Sequence, residues 1–303
     1  MRVFVTGATG FIGGSVAERL VREGHRVSGL ARTPEKAEVL AGFGVTPVLG
    51  TLDDADVLAE QARAADAVVN AADSDHRGAV EALVEALAGT DRPFLHTSGS
   101  SIVGTDSRGE RSEEVFTEDI LAPGAPWRPA EDKRARVAID RYVLDAAARG
   151  VRSVVLCNTL IYGHGRGPGR DSVQIPALVR QARENGVVRT VGAGRNIWST
   201  VHIDDVADLY ARALGAAPAG TFAFVENGEA SFGDLAAAVA TALGLGPAEP
   251  WDVESAVAYW GHEPAVYALG SNSRVRGERA RADLGWRPRH TSAVDWVRAG
   301  LVE

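Results

Sequence analysis

The first half of the chain alternates short β-branched runs with longer, alanine-rich amphipathic segments. Strands that are separated by helical segments predict parallel pairing through crossover connections, because parallel neighbours cannot be joined by a tight turn. The pattern therefore predicts an α/β fold with a doubly wound parallel sheet, whose ligand crevice lies at the carboxyl ends of the strands. The predicted strands span residues 2–6, 26–30, 46–49, 67–71, 93–97 and 152–157, and the predicted helices span residues 11–23, 33–42, 54–64, 76–89 and 130–149.

The second half of the chain is less regular. Residues 103–130 contain three prolines and three glycines, and we interpret them as a long surface connection near the site, since lengthy loops in compact domains are usually functional or mobile. A second glycine-rich break, GHGRGPG, spans residues 163–169. Beyond it, the pattern predicts a helix over residues 174–186 and a short strand near residues 188–191.

Composition excludes several classes of function. The net charge is −8, with 40 acidic against 32 basic residues and no basic cluster, so we expect no nucleic-acid partner. The single cysteine, Cys157, excludes an internal disulfide framework and fits a reducing compartment. No segment approaches the ~18–20 uninterrupted apolar residues of a membrane span. We predict a cytoplasmic protein without a membrane segment.

A glycine loop, GATGFIG, occupies residues 7–13, directly after the first predicted strand. In such a loop Gly7 permits a sharp turn, Gly10 lets the backbone approach a pyrophosphate, and Gly13 allows close packing of helix and sheet. The following helix offers free N–H groups and the positive end of its dipole to phosphates. The strand, the loop and the amphipathic helix together predict a dinucleotide-binding site.

The end of the second predicted strand indicates which dinucleotide is bound. A site for NAD usually places an acidic residue there to hold the ribose 2′-hydroxyl. This chain has Ala31 and then Arg32, with Lys36 close behind. An arginine favours a 2′-phosphate through charge-assisted hydrogen bonds, so we predict NADP(H). The alternative is that Arg32 is a solvated surface residue.

Six motifs, in order, resemble the extended short-chain dehydrogenase/reductase superfamily, whose members are NAD-dependent epimerase/dehydratase-like, over nearly the whole chain. They are GATGFIG, DAVVNAA (66–72), HTSGSSIVG (96–104), LCNTLIYGHG (156–165), STVHIDDVADLYARAL (199–214) and RARADLGWRPRH (279–290). The resemblance implies a Rossmann domain of residues 1–163, to which residues 196–226 return, and a smaller C-terminal substrate-binding portion of residues 164–195 and 227–303. The cofactor-binding residues that it implies are Gly7, Thr9, Gly10, Phe11, Ile12, Gly13, Arg32, Thr33, Lys36, Leu52, Asn70, Ala71, Ala72, Asn158 and Leu160.

The proton-transfer half of the resemblance is incomplete. The family uses a serine or threonine with a tyrosine and a lysine four residues later, and none of the five tyrosines here is followed four residues later by lysine. By resemblance, the lysine position falls on Arg136 and the tyrosine position on Asp132. Lys133 is one residue away, on a different side of the predicted helix. Counting back from Gly104 places the serine position on Gly99, between Ser98 and Ser100.

Several residues are candidates for the missing roles. Ser98 or Ser100 polarises a carbonyl, and Arg136 holds the ribose without releasing a proton, because guanidinium stays protonated. The proton comes from Asp132, Tyr162, His164 or a bound water. A carboxyl such as that of Asp132 serves as acid or base near neutral pH only if burial raises its pKa, whereas histidine as a residue type ordinarily titrates near neutrality. Four tryptophans of the loop and C-terminal regions indicate an apolar or aromatic ligand: Trp127, Trp198, Trp251 and Trp260.

These residues predict an atypical NADP(H)-dependent oxidoreductase that reduces a carbonyl, or oxidises an alcohol, of a small organic substrate. Two alternatives stay open: an epimerase or dehydratase that uses NADP(H) transiently, and a non-catalytic NADP(H)-sensing regulator. No residue spacing indicates a metal site; His202 precedes Asp204 and Asp205, where helix capping explains the carboxylates. The resemblance favours a homodimer through the helices at residues 76–90 and 130–149.

Overall fold

Seven parallel strands form the central sheet of the computed structural model, which describes residues 1–300. Numbering only these strands in chain order, the sheet order is β7-β6-β5-β4-β1-β2-β3, so the chain runs outward from β1 to one edge and then to the other. This confirms the predicted doubly wound sheet. The strands are β1 Arg2–Thr6, β2 Arg26–Ala31, β3 Thr46–Leu49, β4 Ala67–Asn70, β5 Pro93–Gly99, β6 Arg152–Asn158 and β7 Thr221–Val225.

Helices cover both faces of the sheet. One hydrophobic cluster includes Val16, Leu40 and Leu209, so α1, α2 and α7 lie on one face. The other cluster includes Leu83 and Val143, and it places α3, α4 and α5 on the opposite face. The helices are α1 Phe11–Arg22, α2 Pro34–Gly42, α3 Ala55–Ala64, α4 Arg77–Leu87, α5 Arg134–Asp145, α6 Gln174–Asn185, α7 Ile203–Ala216, α8 Phe232–Ala242, α9 Val253–Trp260, α10 Arg279–Leu284 and α11 Ala293–Gly300.

The predicted elements of the first half match the structure to within three residues at each end, with one exception. The helix expected over residues 130–149 is divided into a 3₁₀ turn at Glu131–Lys133, the α-helix Arg134–Asp145 and a second 3₁₀ turn at Ala146–Arg149. Helices α4 and α5 lie side by side, with Arg149 paired to Glu85 at 2.6 Å. The homodimer predicted on these helices stays a prediction.

The seventh strand, which sequence patterns did not locate, is the run TFAFV of β7; it pairs with β6 at the edge of the central sheet. A third hydrophobic cluster is built from α6, α8, α11 and their neighbours. It supports the smaller C-terminal portion, whose boundaries stay predictions. The remaining short strands are Thr105–Asp106, Phe116–Thr117, Leu160–Tyr162, Arg189–Val191, Ile197–His202, Glu229–Ser231, Glu249–Trp251, Ser271–Asn272 and Val275–Arg276.

The connection over residues 103–130 is fastened to the C-terminal region. Thr105–Asp106 pairs with Ser271–Asn272, and Phe116–Thr117 pairs with Val275–Arg276. A π-helix, Glu263–Leu269, directly precedes these partners. The pairing brings residues from the end of the chain to the carboxyl edge of β5. Among residues 1–300, no helix has the length and apolar character needed to cross a bilayer.

Candidate active site

The glycine loop turns from β1 into α1 with no room for side chains. Gly7 has φ +70°, and a Cβ there would overlap the carbonyl oxygen of Ala71, while a Cβ at Gly13 would overlap the carbonyl oxygen of Gly7. Gly10 is the N-cap of α1, is exposed, and offers no side-chain cap to the first turn. The loop is a backbone cradle at a helix N-terminus, which fits the pyrophosphate of a dinucleotide.

The register of the sheet collects the other predicted cofactor residues at the same edge. Thr6 pairs with Asn70, Asn70 with His96, and Gly99 with Asn158. Because all seven strands are parallel, the residues that follow them lie along one crevice. The predicted cofactor residues along this edge are Gly7, Thr9, Gly10, Phe11, Ile12 and Gly13 after β1, Arg32, Thr33 and Lys36 after β2, Leu52 after β3, Asn70, Ala71 and Ala72 at the end of β4, and Asn158 at the end of β6. Leu160 begins the separate short strand Leu160–Tyr162 and is fully buried in the third hydrophobic cluster, so its predicted contact with the cofactor stays a prediction.

Arg32 lies at the carboxyl end of β2. Its side chain is exposed, and within residues 1–300 it forms no ion pair. Thr33 caps α2, because its hydroxyl accepts a hydrogen bond from the backbone N–H of Lys36 at 3.3 Å. The guanidinium of Arg32 is therefore accessible to a ligand, and its contact with a ribose 2′-phosphate stays a prediction.

The second glycine segment, residues 163–169, packs directly on the first. A Cβ at Gly167 would lie 2.6 Å from Cα of Gly14, and a Cβ at Gly169 would lie 2.6 Å from the backbone nitrogen of Phe11. The backbone N–H of Arg166 donates to the hydroxyl of Ser15 at 3.1 Å. The two segments are in contact through backbone atoms. Residues 163–169 therefore help to hold the glycine loop in position.

A cavity of about 550 Å³ opens at the carboxyl end of β5. Its walls come from the loop after β4, the turn after β5, the start of α5, the start of α6 and the π-helix. This volume is within the range of small-molecule sites. The cavity is lined by Asp75, Ser101, Asp132, Lys133, Ala135, Arg136, Val173, Gln174, Trp198, Glu263, Pro264, Tyr267 and Ala268.

Arg136 lines this cavity with all its nitrogens engaged. Nε donates to Asp75 at 2.8 Å, Nη2 donates to the second oxygen of the same carboxylate, and Nη1 donates to Ser101 Oγ at 2.9 Å. Hydrogen bonds from Arg136 lower the pKa of Asp75, and the Asp75 carboxylate raises the pKa of Arg136. The predicted role of Arg136 as a ribose ligand stays a prediction; in the structure its guanidinium ties the β4 loop to α5.

Lys133 also lines the cavity, together with Asp132 and Arg136, although the sequence predicts that it lies on a different side of the helix from the tyrosine position at Asp132. Lys133 ends the 3₁₀ turn Glu131–Lys133 and lies three residues before Arg136, a spacing that puts two helical side chains on the same face. Lys133 Nζ lies 2.9 Å from a carboxylate oxygen of Asp132 and 4.0 Å from the centroid of the Tyr267 ring. A lysine ammonium therefore lies in the cavity one residue after the position that resembles the family's tyrosine.

Ser98 and Ser100 direct their hydroxyls into the core and do not line the cavity. Ser98 Oγ donates to Asp140 at 2.8 Å, and Ser100 Oγ bonds to Ser273 Oγ at 2.7 Å. The cavity hydroxyl is that of Ser101. Strict counting gives Gly99 as the serine position, and a Cβ there would lie 3.7 Å from Ser101 Oγ and 3.9 Å from Arg136 Nη1. The counted position faces the cavity, but its hydroxyl is supplied two residues later.

Tyr162 and His164 lie outside the cavity lining. Tyr162 is buried in the third hydrophobic cluster, where burial and the nearby carboxylate of Asp205 raise the pKa of its phenol. His164 is exposed and packs against Trp296, with ring centroids 5.1 Å apart. Of the six residues predicted to be catalytic, only Asp132 and Arg136 line the cavity.

A buried polar chain runs behind the crevice from β1 to α5. Thr6 Oγ1 donates to Asn70 at 2.6 Å, the Asn70 amide bonds to His96 Nδ1 at 3.0 Å, and His96 Nε2 lies 3.7 Å from Asp140 Oδ1. Burial lowers the pKa of His96 to about 4 and raises the pKa of Asp140 to about 7. The pair is therefore neutral over much of the acidic range, which explains how two titratable side chains are tolerated in the core.

Sequence reasoning assigned no catalytic role to Ser101, Lys133 or Tyr267, three of the residues that line the cavity. Ser101 and Lys133 were recognisable, since Ser101 belongs to the same serine run and Lys133 is one of only two lysines in the chain. Tyr267 carried no local signal, because the π-helix is brought to the cavity by tertiary pairing. Of the four tryptophans, Trp198 lines the cavity and donates to the carbonyl of Ser271 at 2.9 Å; the other three lie outside the lining: Trp127, Trp251 and Trp260.

A cluster of His202, Asp204 and His290 lies on the α1 and α7 side of the molecule, with potential ligand atoms within 4.8 Å of one another. These donors have other partners. His202 Nδ1 accepts the backbone N–H of Asp204 at 3.1 Å, as the predicted cap requires, and Arg166 holds the Asp204 carboxylate at 2.6 Å. Helix capping and an ion pair account for this arrangement.

Known proteins resemble this chain both in sequence and in fold. The model of the NAD dependent epimerase/dehydratase family matches residues 3–223. The oxidase ucsJ of Acremonium sp is 34% identical, with 95% of this chain and 92% of that protein aligned. A 4-hydroxy-2-methyl-3-oxo-4-farnesyl-3,4-dihydroquinoline-1-oxide ketoreductase of Stigmatella aurantiaca is 27% identical over 98% of this chain and 96% of that protein. The dTDP-glucose 4,6-dehydratase of Bacillus anthracis, solved with NAD, shares the fold, with a TM-score of 0.75 and 17% identity over 99% of this chain and 97% of that chain.

Proposed function

This chain belongs to the NAD dependent epimerase/dehydratase family, and we propose that it is an NADP(H)-dependent oxidoreductase acting on a carbonyl or alcohol of a small organic substrate. The observation that carries the proposal is the 550 Å³ cavity beside the dinucleotide crevice. Its lining includes Asp132 and Arg136, the two positions that resemble the family's catalytic pair. A relative named as a ketoreductase supports the same reaction class.

The preference for NADP(H) rests on Arg32. Its exposed guanidinium follows β2, where an acidic residue would hold the ribose of NAD. Removing one charge-assisted contact to a 2′-phosphate costs about 1.5–3 kcal/mol, which corresponds to roughly 10- to 100-fold in affinity.

The cavity lining supports a substrate with an apolar or aromatic body. The ring of Trp198 and the side chains of Val173, Pro264 and Ala268 form its apolar wall. The polar side contains Ser101, whose hydroxyl is positioned by Arg136. The bound nicotinamide supplies or accepts hydride, and the protein orients the carbonyl and excludes water. Ser101 donates a hydrogen bond to the carbonyl oxygen and so helps to polarise it.

The test combines a cofactor titration with a substrate panel. NADPH binding is followed by fluorescence for the wild type, for Arg32→Ala and for a control, Arg26→Ala, which alters an exposed arginine at the opposite end of the same strand. We expect Arg32→Ala to weaken NADPH binding by roughly 10- to 100-fold and to leave NADH binding within about threefold, with no change for Arg26→Ala. Equal loss for both cofactors would refute the NADP(H) preference.

Hydride transfer is then measured at 340 nm with NADPH and a panel of aryl and alkyl ketones. Steady oxidation of NADPH supports the oxidoreductase. Conversion of a substrate without net change at 340 nm indicates an epimerase or dehydratase that regenerates its cofactor. Tight NADPH binding without conversion of any substrate contradicts the enzyme assignment and leaves the regulator.

A further inference from the structure

We propose that Lys133 is the proton donor of this site, held in place by Asp132 and the ring of Tyr267, and that it replaces the tyrosine of the family. The inference rests on the proposed function, because it identifies the source of the proton that a carbonyl reduction consumes. Its structural basis is the position of the Lys133 ammonium within the cavity.

The first argument is composition together with burial. The chain has 32 basic residues and only two of them, Lys36 and Lys133, are lysines. The side chain of Lys133 is 11% exposed, which is unusual because lysine is rarely buried unless it is paired. Arginine serves almost every other basic position, but its guanidinium cannot release a proton, whereas an ammonium can. A buried lysine at the cavity is the one basic group there that is capable of proton transfer.

The second argument is geometry. Lys133 Nζ is 2.9 Å from Asp132 and 4.0 Å from the centroid of the Tyr267 ring. The carboxylate and the ring face both attract the ammonium, and cation–π contacts strengthen when the cation is desolvated. An ammonium has three N–H donors, and Asp132 is the only ion-pair partner of Lys133 within residues 1–300. A substrate oxygen can therefore take one of the remaining donors.

The third argument is that the neighbouring groups are less suited to the role. Arg136 uses its nitrogens on Asp75 and Ser101. Tyr267 presents its ring face to the Lys133 ammonium, 4.0 Å from the ring centroid, and burial and the carboxylates of Asp132, Asp106 and Glu263 raise the pKa of its phenol. The charged groups that line the cavity around the ammonium are Asp75, Asp132, Arg136 and Glu263.

In the proposed step, the carbonyl carbon accepts hydride from the reduced cofactor, and the electron pair of the C=O π bond moves to oxygen. The oxygen takes a proton from the Lys133 ammonium, so that an alcohol forms and the amine is left neutral. The amine regains a proton from solvent beside Asp132, whose side chain is 40% exposed. The ketone is reduced, the cofactor is oxidised, and one solvent proton is consumed.

The main test compares Lys133→Arg, Lys133→Met and Lys133→Ala. Arginine keeps the positive charge and the cation–π contact but cannot donate the proton. We expect kcat to fall by about 10²–10⁴ in all three variants, as for loss of a general acid, while the NADPH dissociation constant stays within about threefold of the wild-type value. The unchanged cofactor affinity shows that each variant is folded.

Chemical rescue separates proton donation from electrostatics. Ethylammonium should raise kcat of Lys133→Ala at least tenfold, whereas tetramethylammonium, a cation without an N–H, should not. Activity of Lys133→Arg near the wild-type level, or equal rescue by both cations, would overturn the inference without affecting the proposed function. Absence of hydride transfer in the wild type on every carbonyl would overturn the proposed function first, and the inference with it.

Tyr267 is tested by a matched pair of variants. Tyr267→Phe keeps the ring face and should retain kcat within about threefold, while Tyr267→Leu removes the ring and should lower kcat about tenfold or more. A kcat that is retained in Tyr267→Phe and lost in Tyr267→Leu would show that the aromatic ring, and not the phenol hydroxyl, positions Lys133. Loss of activity in Tyr267→Phe as large as in Lys133→Met would identify the phenol as the donor and refute the role of Lys133.

Discussion

The glycine crevice and the substrate cavity lie at the same edge of the sheet, yet they are built from different parts of the chain. The crevice is made by backbone atoms of consecutive residues, with Gly7 and Gly13 packed against carbonyl oxygens. The cavity is made by side chains from distant segments, with Lys133 in contact with the ring of Tyr267. The crevice depends on the absence of side chains at its glycines, whereas the cavity depends on which side chains line it. Substitutions should therefore affect the two regions in different ways.

The largest effect is expected from Gly7→Ala. The residue would have to adopt φ +70° and its Cβ would overlap the Ala71 backbone. Backbone strain and overpacking together cost about 2–5 kcal/mol, and NADPH binding should fall below detection. Gly24→Ala is the matched control, because Gly24 also has positive φ, +85°, but no atom lies within 4 Å of its Cβ position.

Both variants are compared by urea unfolding and by NADPH fluorescence titration. Gly24→Ala should lose only about 1 kcal/mol of unfolding free energy and should bind NADPH as the wild type does. If Gly7→Ala binds NADPH normally, the crevice does not depend on close backbone contact, and the contrast between the two regions fails.

A second, smaller effect is expected from Gly169→Ala, in the segment that packs on the glycine loop. Its Cβ would lie 2.6 Å from the backbone nitrogen of Phe11, and so it would push the loop out of position. We expect about 1–3 kcal/mol of destabilisation and weaker NADPH binding. Gly246→Ala, where no atom lies within 4 Å of the Cβ position, should change neither quantity.

The kinetics of Gly169→Ala sharpen the comparison. Since Gly169 does not line the cavity, KM for the carbonyl substrate should stay within about twofold at saturating NADPH. A large rise in that KM, with NADPH affinity unchanged, would show that the second glycine segment serves the cavity and not the crevice.

The crevice was predictable because its determinants are local. A strand, three spaced glycines and an amphipathic helix all occur within residues 2–22. The alternation of strands and helices then places the carboxyl ends of the other strands beside them. Strand β7, TFAFV, was missed although it is as long as β1, because the short strands and the helix over residues 160–202 interrupt the alternation before it. The fold was therefore predictable except where one element depends on pairing with a distant strand.

The cavity was less predictable for three physical reasons. Ser98 belongs to β5 and points toward Asp140 on α5, since alternate side chains of a strand face opposite sides. Lys133 ends the 3₁₀ turn Glu131–Lys133, and its long side chain brings the ammonium to Asp132 and the Tyr267 ring, which its position in the sequence does not reveal. Tyr267 reaches the cavity through tertiary pairing of the C-terminal region. Side-chain direction, unlike a glycine loop, is set by packing.

The buried chain of Thr6, Asn70, His96 and Asp140 lies behind the crevice, and Asp140→Asn tests it through the pH dependence of stability. The pKa of Asp140 is raised to about 7 in the folded protein, so the folded state binds more protons there than the unfolded state between about pH 4 and 7. This group alone makes stability fall as pH rises through that window. The pKa of His96 is lowered to about 4, so its contribution rises with pH up to about 6.5.

In the wild type the two contributions oppose each other, and Asp140→Asn removes the first. The free energy of unfolding of the variant relative to the wild type should increase by at least about 1 kcal/mol between pH 5 and pH 7.5, whatever its value at pH 5. Urea unfolding at five pH values measures this difference. Parallel pH profiles for the two proteins would show that Asp140 is ionised in the folded state.

The smallest effect separates the tryptophan that lines the cavity from those that do not. Trp198→Phe keeps an aromatic ring but shortens the cavity wall and removes the hydrogen bond to the Ser271 carbonyl at 2.9 Å. Loss of partial apolar contact costs about 1 kcal/mol, so KM for the carbonyl substrate should rise about fivefold while NADPH affinity and kcat stay near the wild-type values.

Trp251→Phe is the matched control, because Trp251 packs against Tyr259 and Trp260 with ring centroids 5.4 and 5.3 Å away. A rise in KM for Trp251→Phe equal to that for Trp198→Phe would mean that substrate extends beyond the cavity to the aromatic cluster of the C-terminal portion, and that the cavity lining does not by itself set which substrate is bound.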